Sequence, residues 1–131
     1  MPTIEKIIEL LSCLRSLTPA CDKKIQDAEK SLGLRFAEDY RAYVREYGAI
    51  SARGIELTGV VDSPRLNVVD VTLRERRLNA ALPSDMYVIE NVAIDGILML
   101  QNAEGAIFEL RPGATPEKRF DSLGGYLVSK E

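Results

Sequence analysis

Residues 32–49, LGLRFAEDYRAYVREYGA, constrain the fold of this chain more than any other stretch. Phe36, Tyr40, Tyr43, Val44 and Tyr47 recur at i, i+4, i+7, i+8 and i+11. That spacing puts them on one face of an α-helix over about 37–47. Gly33 ends the preceding helix as a left-handed stop, with Leu34 placed to fold back on it, and Gly48 stops this one. Glu38 and Asp39 fall in the first turn, where they suit the positive end of the helix dipole. Arg41, Arg45 and Glu46 lie on the other face and read as solvated. Four of the chain's eight Phe and Tyr residues sit in this stretch. An aromatic platform for nucleic-acid bases would use the same residue types, but helical spacing assigns these rings to a core.

Two more helices precede it. Ile4, Ile7, Ile8, Leu11 and Leu14 share a face, which predicts a helix over about 3–15 with Thr3 as cap. Thr18-Pro19 reads as the N-cap and first residue of the second helix, whose buried stripe is Ile25, Ala28 and Leu32. Cys13 and Cys21 read as small apolar residues at helix packing positions.

After Gly54 the period changes from helix to strand. Residues 55–61 read as a strand. Thr72 with Glu75 forms a capping box for a short helix to about Ala80. Strands follow at 86–92, 97–101 and 106–111, joined by turns at Asp95-Gly96 and NAEG (102–105). The segment ILMLQ (97–101) is apolar on both faces and predicts a central strand. Ala106, Phe108 and Leu110 share a face. A short edge strand near 118–120 and a last helix capped by Asp121 complete the order, although Gly124-Gly125 weakens that helix. The expected fold is α+β. N-terminal helices pack on a mainly antiparallel sheet of four to six strands, with an inserted short helix and a C-terminal helix, in one domain over 1–131.

Composition narrows the function classes. The chain has no histidine, so Ser-His-Asp and Cys-His nucleophile activation are excluded. Two cysteines without histidine argue against a metal site, and no cofactor motif is present. A net charge of −3 disfavours nucleic acid and anionic membranes as partners. RERR (74–77) contains its own Glu75 and reads as a solvated helix face. The N-terminal MPTIEKIIELL is acidic and lacks a basic n-region, so the expected compartment is the cytoplasm.

Glu29-x-x-Leu32-Gly33, then Tyr40-Arg41 within EDYRAYV, then Tyr47-Gly48, resembles the signature of the SUKH superfamily. The later order VVDVTLRERR, YVIENVAIDGILMLQNAEGAIFEL and FDSLGGYL is similar to that family too, so the likeness spans about 18–128. Phe36-Ala37 stands where Leu-Pro is usual, and Gly48-Ala49 where Gly-Gly is usual. The superfamily includes bacterial immunity proteins of polymorphic toxin systems and a fungal cell-wall-assembly regulator. The resemblance therefore implies a non-enzymatic binder of a cognate toxin, frequently a nuclease, or a regulatory scaffold. For a toxin with a basic surface, Asp62, Asp70, Glu90, Asp95 and Glu104 are the candidate contact residues, because acids near strand ends and loops steer association. A carboxylate-dependent enzyme is the third class and needs two acids within roughly 5–10 Å. Oligomeric state is left open.

Overall fold

A computed structural model describes residues 3–130. The helices are α1 (Ile4–Glu9), α2 (Asp22–Leu32), α3 (Glu38–Tyr47), α4 (Val68–Leu78) and α5 (Leu123–Val128). The strands are β1 (Arg15–Ser16), β2 (Ile50–Ala52), β3 (Ile55–Glu56), β4 (Met86–Asn91), β5 (Leu98–Asn102), β6 (Ile107–Leu110) and β7 (Glu117–Phe120). They form two antiparallel sheets, β1-β2-β3 and β4-β5-β6-β7. The class is α+β, as expected. The larger sheet has four strands, within the expected four to six; the separate three-stranded sheet is not legible in the sequence, because β1, β2 and β3 are two or three residues long and carry no period of their own.

β4–β7 form a meander whose alternation sorts side chains onto two faces. Tyr87, Ile89, Met99 and Ile107 join the main core with α1, α2, α3 and α5. Met86, Val88, Leu98, Leu100 and Leu110 form a second cluster with Val71 of α4 and Leu82 behind it. The expected central strand is β5, paired on both sides and buried from Leu98 to Gln101. Phe108 and Leu110 share the second cluster, as their spacing predicts.

Several local expectations are corrected. The first helix ends at Glu9, not near 15, because Arg15 and Ser16 pair with Ser51 and Ile50, and Ser12 C=O accepts from Arg53 N at 2.9 Å. Local helix period loses there to strand pairing. The second helix starts at Asp22, four residues after Thr18. A Thr-Pro pair is compatible with a helix start, so the later start is set by tertiary contacts rather than by the local sequence. The segment is tied down by Leu17 N to Ala49 O (2.9 Å) and Ala20 N to Val44 O (3.0 Å). Both cysteines are exposed rather than packed.

Residues 55–61 pair as a strand only at Ile55–Glu56. Beyond it, four successive N–H groups go to four places: Leu57 to Ile50 O, Thr58 to Ile89 O, Gly59 to Leu66 O and Val60 to Gly48 O. This segment joins the two sheets, and a single partner strand would not satisfy it. The inserted helix starts at Val68, capped by Asn67, whose Oδ1 accepts from Val69 N at 3.2 Å. Thr72 is therefore inside α4 rather than capping it, and its hydroxyl oxygen accepts from Val88 N at 3.0 Å. Ser122, not Asp121, caps α5. Asp121 instead pairs with Lys118 at 2.8 Å. The α5 glycines fit because a Cβ on Gly124 would lie 2.8 Å from Ile7 Cδ1: α1 and α5 pack closely there.

Candidate functional site

The signature residues build a polar lattice inside the core. Glu29 is buried on α2, and its Oε2 accepts from Phe36 N at 2.8 Å and from Arg41 Nη2 at 2.7 Å and Nε at 3.2 Å. Arg41 is half-buried, not on a solvated face as expected. Leu32 closes the stripe of α2, and Gly33 takes φ 68° so that Leu34 N reaches Glu29 O at 3.1 Å. Tyr40 and Tyr43 are fully buried, whereas Tyr47 is half-buried.

Each buried tyrosine hydroxyl has a partner, because a buried O–H without one costs about 1–3 kcal/mol. Thr58 Oγ1 donates to Val88 O at 2.7 Å, so Tyr40 O–H donates to Thr58 Oγ1 at 2.9 Å. Tyr43 O–H donates to Thr58 O at 2.8 Å and accepts from Ile50 N at 3.0 Å. Tyr87 O–H donates to Gln101 Oε1 at 2.7 Å and accepts from N–H of Ala37, the N-cap residue of α3, at 3.0 Å. Gln101 Nε2 donates to Asp39 Oδ1 at 3.0 Å, and Asp39 Oδ2 accepts from Leu123 N at 2.8 Å. Burial pushes the Tyr40, Tyr43 and Tyr87 hydroxyls well above their ordinary range. These groups fix α3 to both sheets and to α5. Tyr40 and Tyr43 are interior scaffold, as their spacing predicts, while Tyr47 packs at the edge of the same core.

The five candidate acids separate. Glu90 is 4% exposed, and its carboxylate accepts from Glu56 N at 2.8 Å and from the Tyr126 hydroxyl. Burial first, then the charge of Glu90, raises the Tyr126 hydroxyl. Glu90 therefore ties β3 and α5 to β4 and offers no free oxygen to a partner, which corrects its place among the contact residues. Asp62, Asp70, Asp95 and Glu104 are exposed. Asp95 and Glu104 lie in the turns at opposite ends of β5, so they do not form one patch with each other.

Asp62 lies in a built cleft. One lobe, of about 250 Å³, runs between Thr18, Pro19, Ala20 and Lys24 on one side and Val60, Val61, Asp62 and Ser63 on the other. A second, of about 290 Å³, continues along Asp27, Ala28 and Ser31 of α2 to Asn67 and Val69 at the start of α4. Lys24, Val60, Val61 and Asp62 belong to both lobes. Asp70 follows in the first turn of α4. Ala20, Ala28, Val60 and Val61 line it beside Lys24, Asp27 and Asp62, so it mixes apolar side chains with both signs of charge. Sequence reasoning missed Lys24, Asp27 and Ser31. With Ala28 they recur at i, i+3, i+4 and i+7 beside the core stripe, but their mixed chemistry gives no hydrophobic period.

RERR is also divided. Arg74 pairs with Glu75 at 3.3 Å, and Arg77 is exposed. Arg76 Nη2 donates to Leu32 O at 3.2 Å and Ser84 O at 2.9 Å, so it ties the end of α2 to the loop after α4 instead of facing solvent. Among the described residues no group of three Cys, Asp or Glu side chains converges as a metal cage, and no helix is long and apolar enough to cross a membrane.

A search of curated proteins gives no match to this chain. A family model does: SUKH_5, described as SMI1-KNR4 cell-wall, matches residues 3–130. The match covers nearly the whole folded chain and the same residues that build the lattice, and the protein belongs to the SUKH family.

Proposed function

We propose that this chain is an immunity protein that binds a cognate bacterial toxin and neutralises it by covering its active surface, without chemistry of its own. The observation that carries the reading is the family match over residues 3–130, in a family whose members are generally non-catalytic. The geometry is compatible with it. The signature side chains are used inside the frame, which leaves recognition to exposed positions. The cleft beside Asp62, with Asp70 at its end, is the surface best suited to a basic partner segment. Glu104 and Asp95 lie elsewhere and add to long-range steering only.

Co-expression with the toxin encoded beside this gene tests the reading. Cells should survive only when the chain is present, and the two proteins should co-purify. Charge reversal at Asp62 should slow association several-fold at low salt and much less near 1 M salt, where the Debye length is about 3 Å. Unchanged association at low salt would remove this surface from the contact. A second reading, a regulatory scaffold, is favoured by the cell-wall description of the matching family. It predicts that no neighbouring toxin is bound.

A further inference from the structure

The turn between β4 and β5 holds an apolar side chain out into solvent. Ile94 is 61% exposed. The backbone around it is unusual: Ala93, Asp95 and Gly96 have φ of 62°, 53° and 70°. Asp95-Gly96 forms a tight hairpin turn, closed by Ile97 N to Ile94 O at 3.1 Å. Ala93 is left-handed without being glycine, at a cost of about 1 kcal/mol or more, and is held by its N–H to Asn91 Oδ1 at 2.9 Å. Strain of this kind persists only where surrounding structure fixes it. Here it fixes an isoleucine as a knob.

Beside the knob is a groove of about 280 Å³ between α5 and the sheet. Val92, Ile97, Met99, Phe120 and Tyr126 supply its apolar wall. Ile94 of the same chain is not among its lining residues and stays exposed beside it. Its rim carries Arg119 and Lys130. Arg119 is held by Glu109 and Glu117. The Lys130 ammonium stands 5.2 Å from the centre of the Tyr126 ring and has no carboxylate partner among the described residues. Asp95, next to Ile94, likewise has no basic partner among them.

Knob and groove are thus adjacent on one chain, and each carries a charge of opposite sign without an ion-pair partner among the described residues, Asp95 beside the knob and Lys130 at the groove. That is the condition for an isologous contact, in which each copy gives what it receives. We propose that two copies of this chain pair about a two-fold axis at the β4–β5 turn, the Ile94 of each entering the groove of the other and its Asp95 meeting Lys130. The contact is small, below the roughly 1,200 Å² of a standard interface, so the dimer is weak and concentration-dependent.

Sedimentation equilibrium of the intact chain up to about 1 mM tests this. Wild type should show reversible dimerisation. Ile94→Asp, a change at an exposed site, should raise the dissociation constant by ~100-fold, because two buried isoleucines are lost per dimer. Lys130→Glu and Asp95→Asn should each weaken it by roughly 3- to 10-fold. Lys130→Glu combined with Asp95→Lys should bind more tightly than Lys130→Glu alone, since both pairs are restored with reversed sign. Circular dichroism confirms that each variant is folded, and Ile94→Asp decides alone if lysine is not tolerated at the left-handed position 95. A wild type that stays monomeric throughout, or an Ile94→Asp variant that dimerises as well as wild type, overturns the proposal.

Discussion

Gly33 and Gly48 end successive helices with nearly the same φ, 68° and 73°, yet alanine should have very different costs at the two sites. At Gly33 ψ is 33°, an ordinary left-handed cap, and a Cβ would meet nothing within 4 Å. Alanine there pays only the left-handed penalty of about 1–2 kcal/mol, offset by about 0.4–1 kcal/mol from a stiffer unfolded chain. The net loss is about 1 kcal/mol. At Gly48 ψ is −65°, the centre of a γ-turn of positive φ, closed by Ala49 N to Tyr47 O at 2.8 Å. A Cβ there would lie 2.0 Å from Thr18 O and 2.8 Å from Thr18 C. These are backbone atoms, so the segment itself must retreat by about 1 Å in a close-packed region. That segment is held by Leu17 N to Ala49 O and Ala20 N to Val44 O. Disrupting both bonds costs about 1–3 kcal/mol each if a group is left unpaired, in addition to the backbone strain. The expected loss is therefore at least about 4 kcal/mol, which is exceptional for one methyl group. Urea unfolding followed by circular dichroism measures both variants against wild type, with the slope m checked for constancy. If Gly48→Ala and Gly33→Ala differ by less than about 1 kcal/mol, the close approach at Thr18 is not what selects Gly48.

Two other predictions concern the buried polar groups. Glu29→Ala leaves Arg41 half-buried without its anion and Phe36 N without an acceptor, and should destabilise by about 3 kcal/mol; Glu29→Ala with Arg41→Met should cost less than the sum of the two single changes, as a thermal-melt double-mutant cycle would show. Buried Tyr40, Tyr43, Tyr87 and Tyr126 have hydroxyls raised by burial, so the folded state keeps protons that the unfolded chain loses near pH 10. Their contribution is fully present below about pH 10 and falls as pH rises beyond it, so alkaline unfolding and tyrosinate absorbance at those four sites should rise together, whereas half-buried Tyr47, raised by burial and by Glu9, Glu46 and Glu5, should titrate before them. Simple, unfolding-independent titration of all five would contradict the lattice.

The parts of this fold that were legible in the sequence are those with a long period or a strong stop. α3, the Gly33 cap and the strands β4 to β6 are readable because many residues vote for one periodicity. The three-stranded sheet is not, since Arg15–Ser16 and Ile55–Glu56 are too short to show alternation and form only when partners arrive. The caps failed for a related reason. Thr18, Thr72 and Asp121 are good capping types, but each is claimed by something distant in sequence or outside the helix: the tie to α3, the Val88 N–H and Lys118. The proposed contact surface was least legible. Charge picked out exposed Asp62 and Asp95, but it picked out buried Glu90 equally, because a carboxylate's type does not reveal whether a backbone N–H is waiting for it.

Recognition and folding make opposite demands on residues, and the proposed function divides them between different positions of this chain. Glu29, Tyr43, Tyr87 and Gln101 each satisfy interior groups contributed by two or more segments, so changing them reduces stability whatever partner is bound. Exposed substitutions away from such contacts usually stay within about 0.5 kcal/mol. Asp62, Asp70, Glu104 and the cleft residues Lys24 and Ser31 belong to that second group. A chain built this way can exchange the residues of its cleft rim to fit a different partner while α3 and its lattice stay fixed. For the same reason, the residues that identify the family say little about which partner is recognised. The β4–β5 turn is the exception: Ile94 is exposed, but the left-handed residues around it are set by the backbone. Its presentation therefore belongs to the fold, whereas the occupant of the cleft does not.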